Sequence, residues 1–443
     1  MAAPPRGGPQ QQALTDAVAY HVAPPPAPVL KHWLRAQAVN VTRHFEALRP
    51  FAADEFGTGI AAPSAGHLEA VNNLMATLRR PLSNVTSQVQ AAADKAIAQP
   101  STDRLENLLR LKSRAHDWVR ATERVWDFYF ELFGQRQSRF ATWLFACDRV
   151  ATDCYQYAYL NLGKPRSIPA PPPFAYMRTG FSPATYRRGI PLRRLGRMLN
   201  PFPLVQLPYH RLVNPWTLGA MLHEVSHNLQ NDLGLQQDIP RQISRAVEEA
   251  GCPPAVGRVW VRWNRETFAD MCGVLLGGEA FVGSLIDVVG RSPEMSLAYS
   301  ETGPHPTPYL RTFISTHLLE RLNFADAARR YRARWEQLYP EPGRGTIPPA
   351  LLASRDTTIP VVVDAICFTP YRSLGGRTLA QVLRFEPKEQ RMIEEAAERL
   401  ARGVDPGVVP ERFLISAVRV ALNYRLAEPQ TLMRNFYVEL GRR

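Results

Sequence analysis

Residues 214–231 read Asn-Pro-Trp-Thr-Leu-Gly-Ala-Met-Leu-His-Glu-Val-Ser-His-Asn-Leu-Gln-Asn, and no other stretch constrains the fold as tightly. Asn214 followed by Pro215 is a helix start, with a capping residue and then a proline whose missing N–H costs nothing at the first helical position. Asp232-Leu233-Gly234 is a helix stop. Between them lies His223-Glu224-x-x-His227. A helix turns once in about 3.6 residues, so His223 and His227 share a face. Two imidazoles on one face can grip one zinc ion, and the glutamate beside the first can carry a proton. In a loop rich in glycine and proline the same five residues would carry no such meaning.

A zinc site of this kind needs a third donor. The segment Trp260–Leu276 contains no proline, is largely apolar and is expected to be helical. Its two carboxylates, Glu266 and Asp270, are four apart and share a face. Burying both on such a helix is expensive without a cation. Glu266 therefore completes a two-histidine, one-glutamate donor set that leaves a fourth position open. Asp270 is placed to accept the free ring N–H of a ligating histidine.

The pair of motifs, His-Glu-x-x-His and then Glu-x-x-x-Asp on a second helix, resembles the signature of the gluzincin metallopeptidases. Glu266-Thr-Phe-Ala269-Asp270 is similar to the Glu-x-x-Ala-Asp of the prenyl-protein-processing and heat-shock-induced membrane peptidases. His305-Pro306, with Arg311 six residues after the histidine, also fits that group. The resemblance covers about residues 200–315. It lacks that group's membrane spans, and Arg265 precedes Glu266 where thermolysin-like enzymes carry asparagine. It implies a mainly α (α+β) fold with a zincin-like core and a small sheet with an edge strand. It further implies one zinc ion on His223, His227 and Glu266, with Glu224 as catalytic base, Asp270 behind a ligating histidine and His305 facing the substrate oxyanion. The implied activity is endopeptidase cleavage of a protein or peptide by a water that Glu224 and zinc activate. Tyr309, Tyr209 and His210 are further candidates for the oxyanion donor, and Arg311 for orienting a carboxylate or the substrate backbone. Two other readings stay open: a metallopeptidase-like binding or regulatory protein, and a zinc hydrolase acting on a non-peptide amide.

The remaining chain bounds these expectations. It has 443 residues, 45% of them hydrophobic, enough for a large core. Residues 1–29 form a proline-rich tail expected to be disordered. Residues 30–163 read as a helical N-terminal domain, with helices over 30–49, 67–78, from Pro81, 101–133 and 136–162. A linker is expected at 164–183, the metallopeptidase core spans 164–345, and 346–443 reads as a helical subdomain. Within the core, 202–213 reads as an edge strand; in the C-terminal subdomain, Thr358–Phe368 reads as a short strand or extended segment. The N-terminus lacks the apolar core of a secretory signal, and no apolar run reaches the length of a membrane span. The five cysteines are odd in number and form no Cys-x-x-Cys pair. A soluble, cytoplasmic protein is the expectation. The net charge of +13 comes mostly from scattered arginines, which is not read as a nucleic-acid signature.

Overall fold

The computed structural model describes residues 29–163, 171–191 and 199–443. The expected tail up to residue 28, part of the linker (164–170) and residues 192–198 lie outside the described residues. The chain is mainly helical and carries one small sheet, which places it in the mainly α class.

Two compact units are formed. Among the described residues the first takes 29–49 and 76–123, and holds α1 (Val29–Ala47), the later part of α2 (Ala65–Ala98) and the earlier part of α3 (Thr102–Gly134). Leu34, Ala38 and Val41 of α1 recur at helical spacing, as do Val89, Ala92, Ala93 and Ala96 of α2. These faces bury together with Leu108 and Ala115 of α3. Pro81 lies inside α2 and does not begin a new helix. Interior proline costs a helix about 3 kcal/mol, so burial on either side of it must outweigh that cost. Leu74 and Met75 before it, and Leu82 and Val89 after it, are all buried.

The second unit takes residues 50–75 and 124–443. Its sheet has the order β1 (Phe174–Met177), β3 (Leu204–Leu207), β2 (Ala184–Tyr186), with β1 parallel and β2 antiparallel to β3. The segment expected to be an edge strand is thus the central one. Pro203 and Pro208 flank residues 204–207, so their missing N–H groups fall outside the ladder. The part of that segment after Pro208 is a short helix, α5 (Tyr209–Val213). β1 and β2 form the two edges, and they fall in or beside the stretch expected to be a linker.

Helices surround this sheet. α4 (Ala141–Asn161) precedes it; α6 (Gly219–Asp232), α7 (Asp238–Glu249), α8 (Pro254–Gly277) and α9 (Glu279–Val289) follow. Then come α10 (Pro293–Ser296), α11 (Pro308–Arg321), α12 (Ala325–Leu338), α13 (Pro349–Ala353) and α14 (Arg355–Val363). The chain ends with α15 (Leu379–Val382), α16 (Pro387–Ala401), α17 (Glu411–Asn423) and α18 (Pro429–Arg442). One continuous core runs through them. Cys147, Cys154 and Tyr155 of α4, Leu222 and Leu229 of α6, Trp260 and Trp263 of α8, and Phe413 and Leu414 of α17 all belong to it. Residues 124–163, drawn with the N-terminal helices in the sequence division, therefore pack in the second unit. Residues 346–443 share the same core: Ser416 Oγ donates to the Gly277 carbonyl at 2.7 Å and Tyr437 Oη to the Leu212 carbonyl at 2.5 Å.

Residues 358–368 are helical: α14 carries Pro360 within it and leads into a π-helical turn at Asp364–Phe368. Ile359, Val362, Val363 and Ile366 are all buried, a helical spacing that overrides the β-propensity of those branched side chains. No helix among the described residues is long and apolar enough to cross a membrane.

Candidate metal centre

The site is built where α6 packs on α8, wholly within the second unit. Met221, Leu222, Val225 and Leu229 of α6 face inward, and Phe268, Met271, Cys272 and Leu275 of α8 meet the same core. Two of the hydroxyl groups on these buried faces are satisfied locally. Ser226 Oγ donates to the Leu222 carbonyl at 2.6 Å, and Thr267 Oγ1 to that of Trp263 at 3.1 Å. The start of α6 is fixed by close approach, because a Cβ on Gly219 would lie 2.5 Å from Ser284 Cβ in α9. Asn214 and Pro215 begin a 3-10 turn over Pro215–Thr217, and the α-helix proper starts at Gly219. The Asn214 side chain makes no cap; its Nδ2 donates to the His210 carbonyl. α8 ends at Gly278, whose φ of 62° and contact with the Phe385 ring leave no room for a side chain.

This packing brings the expected donors together. Ligand atoms of His223, His227 and Glu266 lie within 4.8 Å of one another. His223 Nε2 is 3.2 Å from Glu266 Oε2, and His227 Nε2 is 3.4 Å from Glu266 Oε1. Donors about 2.0–2.1 Å from a tetrahedral zinc are separated by about 3.3 Å, so these distances already match such a shell. The two imidazoles stand nearly perpendicular, at 87°.

Behind the donors lies a buried chain of polar contacts. His223 Nδ1 is 2.9 Å from Asp270 Oδ1. Arg311, from the first turn of α11, grips Asp270 with two bonds of 2.7 Å, Nε to Oδ2 and Nη2 to Oδ1. Asp270 is fully buried and Arg311 nearly so. The guanidinium is thus committed to Asp270, in place of the expected substrate carboxylate, although Arg311 still borders the cleft.

Charge in this cluster is sharply divided. Burial works against a His223 cation, but hydrogen bonds to Asp270 and Glu266 outweigh it and raise the pKa to about 10. Burial, and then the charge of His223, push His227 down to about 3. Burial would raise the Glu266 carboxyl, yet His223, His227 and Arg311 hold it well below the usual carboxylate range. Asp270 is lowered despite its burial, chiefly by Arg311. Glu224 goes the other way: burial, opposed by His223 and aided by Glu266, lifts it to about 7. A carboxyl poised there can both take and return a proton near neutrality.

A cleft of about 740 Å³ opens over the donors and is lined by His223, Glu224, His227, Glu266 and His305. His305 Nε2 lies 3.4 Å from Glu266 Oε2, and its side chain is largely solvent-facing. The other oxyanion candidates are elsewhere. Tyr309, in the first turn of α11, is buried with its hydroxyl accepting from Arg355 Nη1, Tyr209 packs edge-on against Phe140, and His210 stacks on Phe181. None of the three lines the cleft. The sequence reading missed the cleft's walls. Its apolar wall comes from Phe281, Leu285, Val288 and Val289 of α9, and its opposite lip from Ser182 to Thr185 along β2. The apolar run 274–289 is divided at Gly278 between the end of α8 and α9, and a three-residue strand such as β2 leaves no periodic signal.

Comparison with protein-family models, curated proteins and solved structures gives no match for this chain.

Proposed function

We propose that the chain is a zinc-dependent peptidase of the gluzincin type, cleaving a protein or peptide substrate. The reading rests on one juxtaposition: three donor atoms within 4.8 Å of one another with the Glu224 carboxyl beside them in an open cleft. Two imidazoles and a carboxylate suit zinc, and with only three protein donors a position is left for chemistry. A zinc ion held by His223, His227 and Glu266 supplies Lewis acidity, bringing the pKa of water down to about 7 and polarising a carbonyl.

The chain's own groups do the rest. Asp270 accepts the His223 Nδ1 proton, which leaves the Nε2 lone pair turned to the site, and Arg311 holds Asp270 in that position. Glu224 takes the proton of the attacking water and returns it to the departing nitrogen, work worth roughly 10²–10⁴ in rate. His305, at the cleft mouth, offers a ring N–H to the oxyanion. The outer edge of β2 has no strand partner among the described residues, and an extended peptide can add to it as a further strand. Leu285 and Val288 then receive an apolar side chain. A purely structural or binding site has no need of a titratable carboxyl at Glu224, which favours the enzyme over the binding-protein reading.

Mass-spectrometric mapping of new peptide termini in a proteome, wild type against Glu224→Gln, tests this. New termini are expected with wild type and a loss of at least about a hundredfold in the variant. Equal cleavage by both would overturn the assignment.

A further inference from the structure

The cleft has two chemically different ends, and α6 is the ruler between them. Near its start, Gly219 abuts Ser284 and Phe281 of α9, so this end is walled by that helix's apolar face. The donors His223 and His227 occupy the middle. At the far end stand Gln230 and Asn231, where Asn231 Oδ1 accepts from Arg187 Nη1 at 3.5 Å and Gln230 Nε2 donates to Asn264 Oδ1 at 3.3 Å. Arg187, just past β2, and Arg265, next to Asn264 on α8, both line the cleft here. At 1.5 Å per residue, Ala220 and Gln230 are about 15 Å apart along the helix. An extended peptide covers that length in about five residues, with the donors between its ends.

No carboxylate lines the far end, although the charge of Asp232 acts on Arg187 from beside it. Glu224 and Glu266 are the only carboxylates lining the cleft among the described residues, and both belong to the donor cluster. Neither Arg187 nor Arg265 forms an ion pair among the described residues. Asp232, at the end of α6, accepts instead from Asn231 Nδ2 at 3.0 Å. Of the other two cleft arginines, Arg311 is held by Asp270, and Arg291 lies over the Phe181 ring, its guanidinium carbon 5.1 Å from the centroid. Two guanidinium groups from different elements, half-buried and exposed respectively, thus converge on one end of a groove without an ion-pair partner among the described residues. Like charges held this way repel, and burial followed by Arg265 accounts for the lowered pKa of Arg187.

We propose that Arg187 and Arg265 form an acidic-residue subsite, so that the preferred substrate carries a glutamate or aspartate two or three residues from the scissile bond, opposite an apolar residue seated on α9. The inference rests on the peptidase reading for the position of that bond, but the subsite itself is a binding property. Guanidinium groups pair with carboxylates through charge-assisted bonds, and a half-exposed pair of them selects by charge more than by shape.

The test uses the full-length Glu224→Gln protein, which retains the cleft without turning over. The probes are fluorescein-labelled peptides with paired glutamates three residues from a leucine, in either order, and the same peptides with glutamine. The glutamate peptide of one order is expected to bind about tenfold more tightly by anisotropy, an advantage that shrinks as salt rises. Arg187→Ser with Arg265→Ser removes the difference. Arg187→Glu with Arg265→Glu transfers the preference to lysine peptides, a gain that misfolding cannot imitate. Equal binding of glutamate and glutamine peptides, or no binding of either, overturns the subsite. Charge selection in binding, with no cleavage by the wild type, would keep the subsite and remove the peptidase reading.

Discussion

Removing either half of the buried Arg311–Asp270 pair should destabilise the protein more than removing both. The pair is joined by two bonds of 2.7 Å, with Asp270 fully buried and Arg311 nearly so. Arg311→Met leaves a buried carboxylate with only the His223 N–H opposite, a loss of about 3–5 kcal/mol, toward the low end because His223 partly compensates. Asp270→Leu strands the guanidinium at a similar cost and takes the acceptor from His223, adding about 1–3 kcal/mol. In the double variant neither charge remains, and only the histidine deficit of about 1–3 kcal/mol persists. The double variant should therefore be more stable than Asp270→Leu by about 3–5 kcal/mol and than Arg311→Met by up to about 2 kcal/mol. At roughly 2 °C per kcal/mol for a unit of this size, that is about 6–10 °C in Tm above the first and up to about 4 °C above the second. Scanning calorimetry in excess chelator measures this without the metal's own contribution. Additive losses, with the double variant melting below both single ones, would refute the pairing.

Two further outcomes follow from the same cluster. With its pKa raised to about 10, His223 carries a proton at neutral pH in the metal-free protein and must release it to coordinate, so the logarithm of apparent zinc affinity should rise with pH at a slope near one between about pH 7 and 10. In that metal-free protein the raised pKa stabilises the fold fully below about pH 6.5 and fades as pH climbs through 10; a flat affinity profile by competitive titration would contradict it. Tyr309→Phe should leave peptide cleavage within about twofold of wild type, because its hydroxyl meets Arg355 away from the cleft, and a hundredfold fall in kcat would return Tyr309 to the chemistry.

The donors were legible in the sequence because their spacing is local. Four residues separate His223 from His227, and four separate Glu266 from Asp270, so helical periodicity alone puts each pair on a face. That Glu266 meets both histidines needs only that the two helices pack, and their apolar faces require it. Arg311 was visible as a motif residue, but its partner was not, since a guanidinium's choice between substrate and Asp270 depends on where α11 lands. β2 was hidden for a different reason. Ala184–Tyr186 has three residues, too few for alternation, and its role as an edge of the sheet is fixed by β3 pairing on both sides. The expected strand at 358–368 failed because branched residues favour strands only until packing decides otherwise, and Ile359, Val362, Val363 and Ile366 pack as a helix.

The central claim is that His223, His227 and Glu266 hold one zinc ion beside a base that does not bind it. Native mass spectrometry of zinc-loaded protein tests it most directly. Wild type and Glu224→Gln should each carry one zinc per chain, and His227→Ala should carry none under the same conditions. A wild type that takes up no zinc, or a His227→Ala variant that keeps it, would contradict the account.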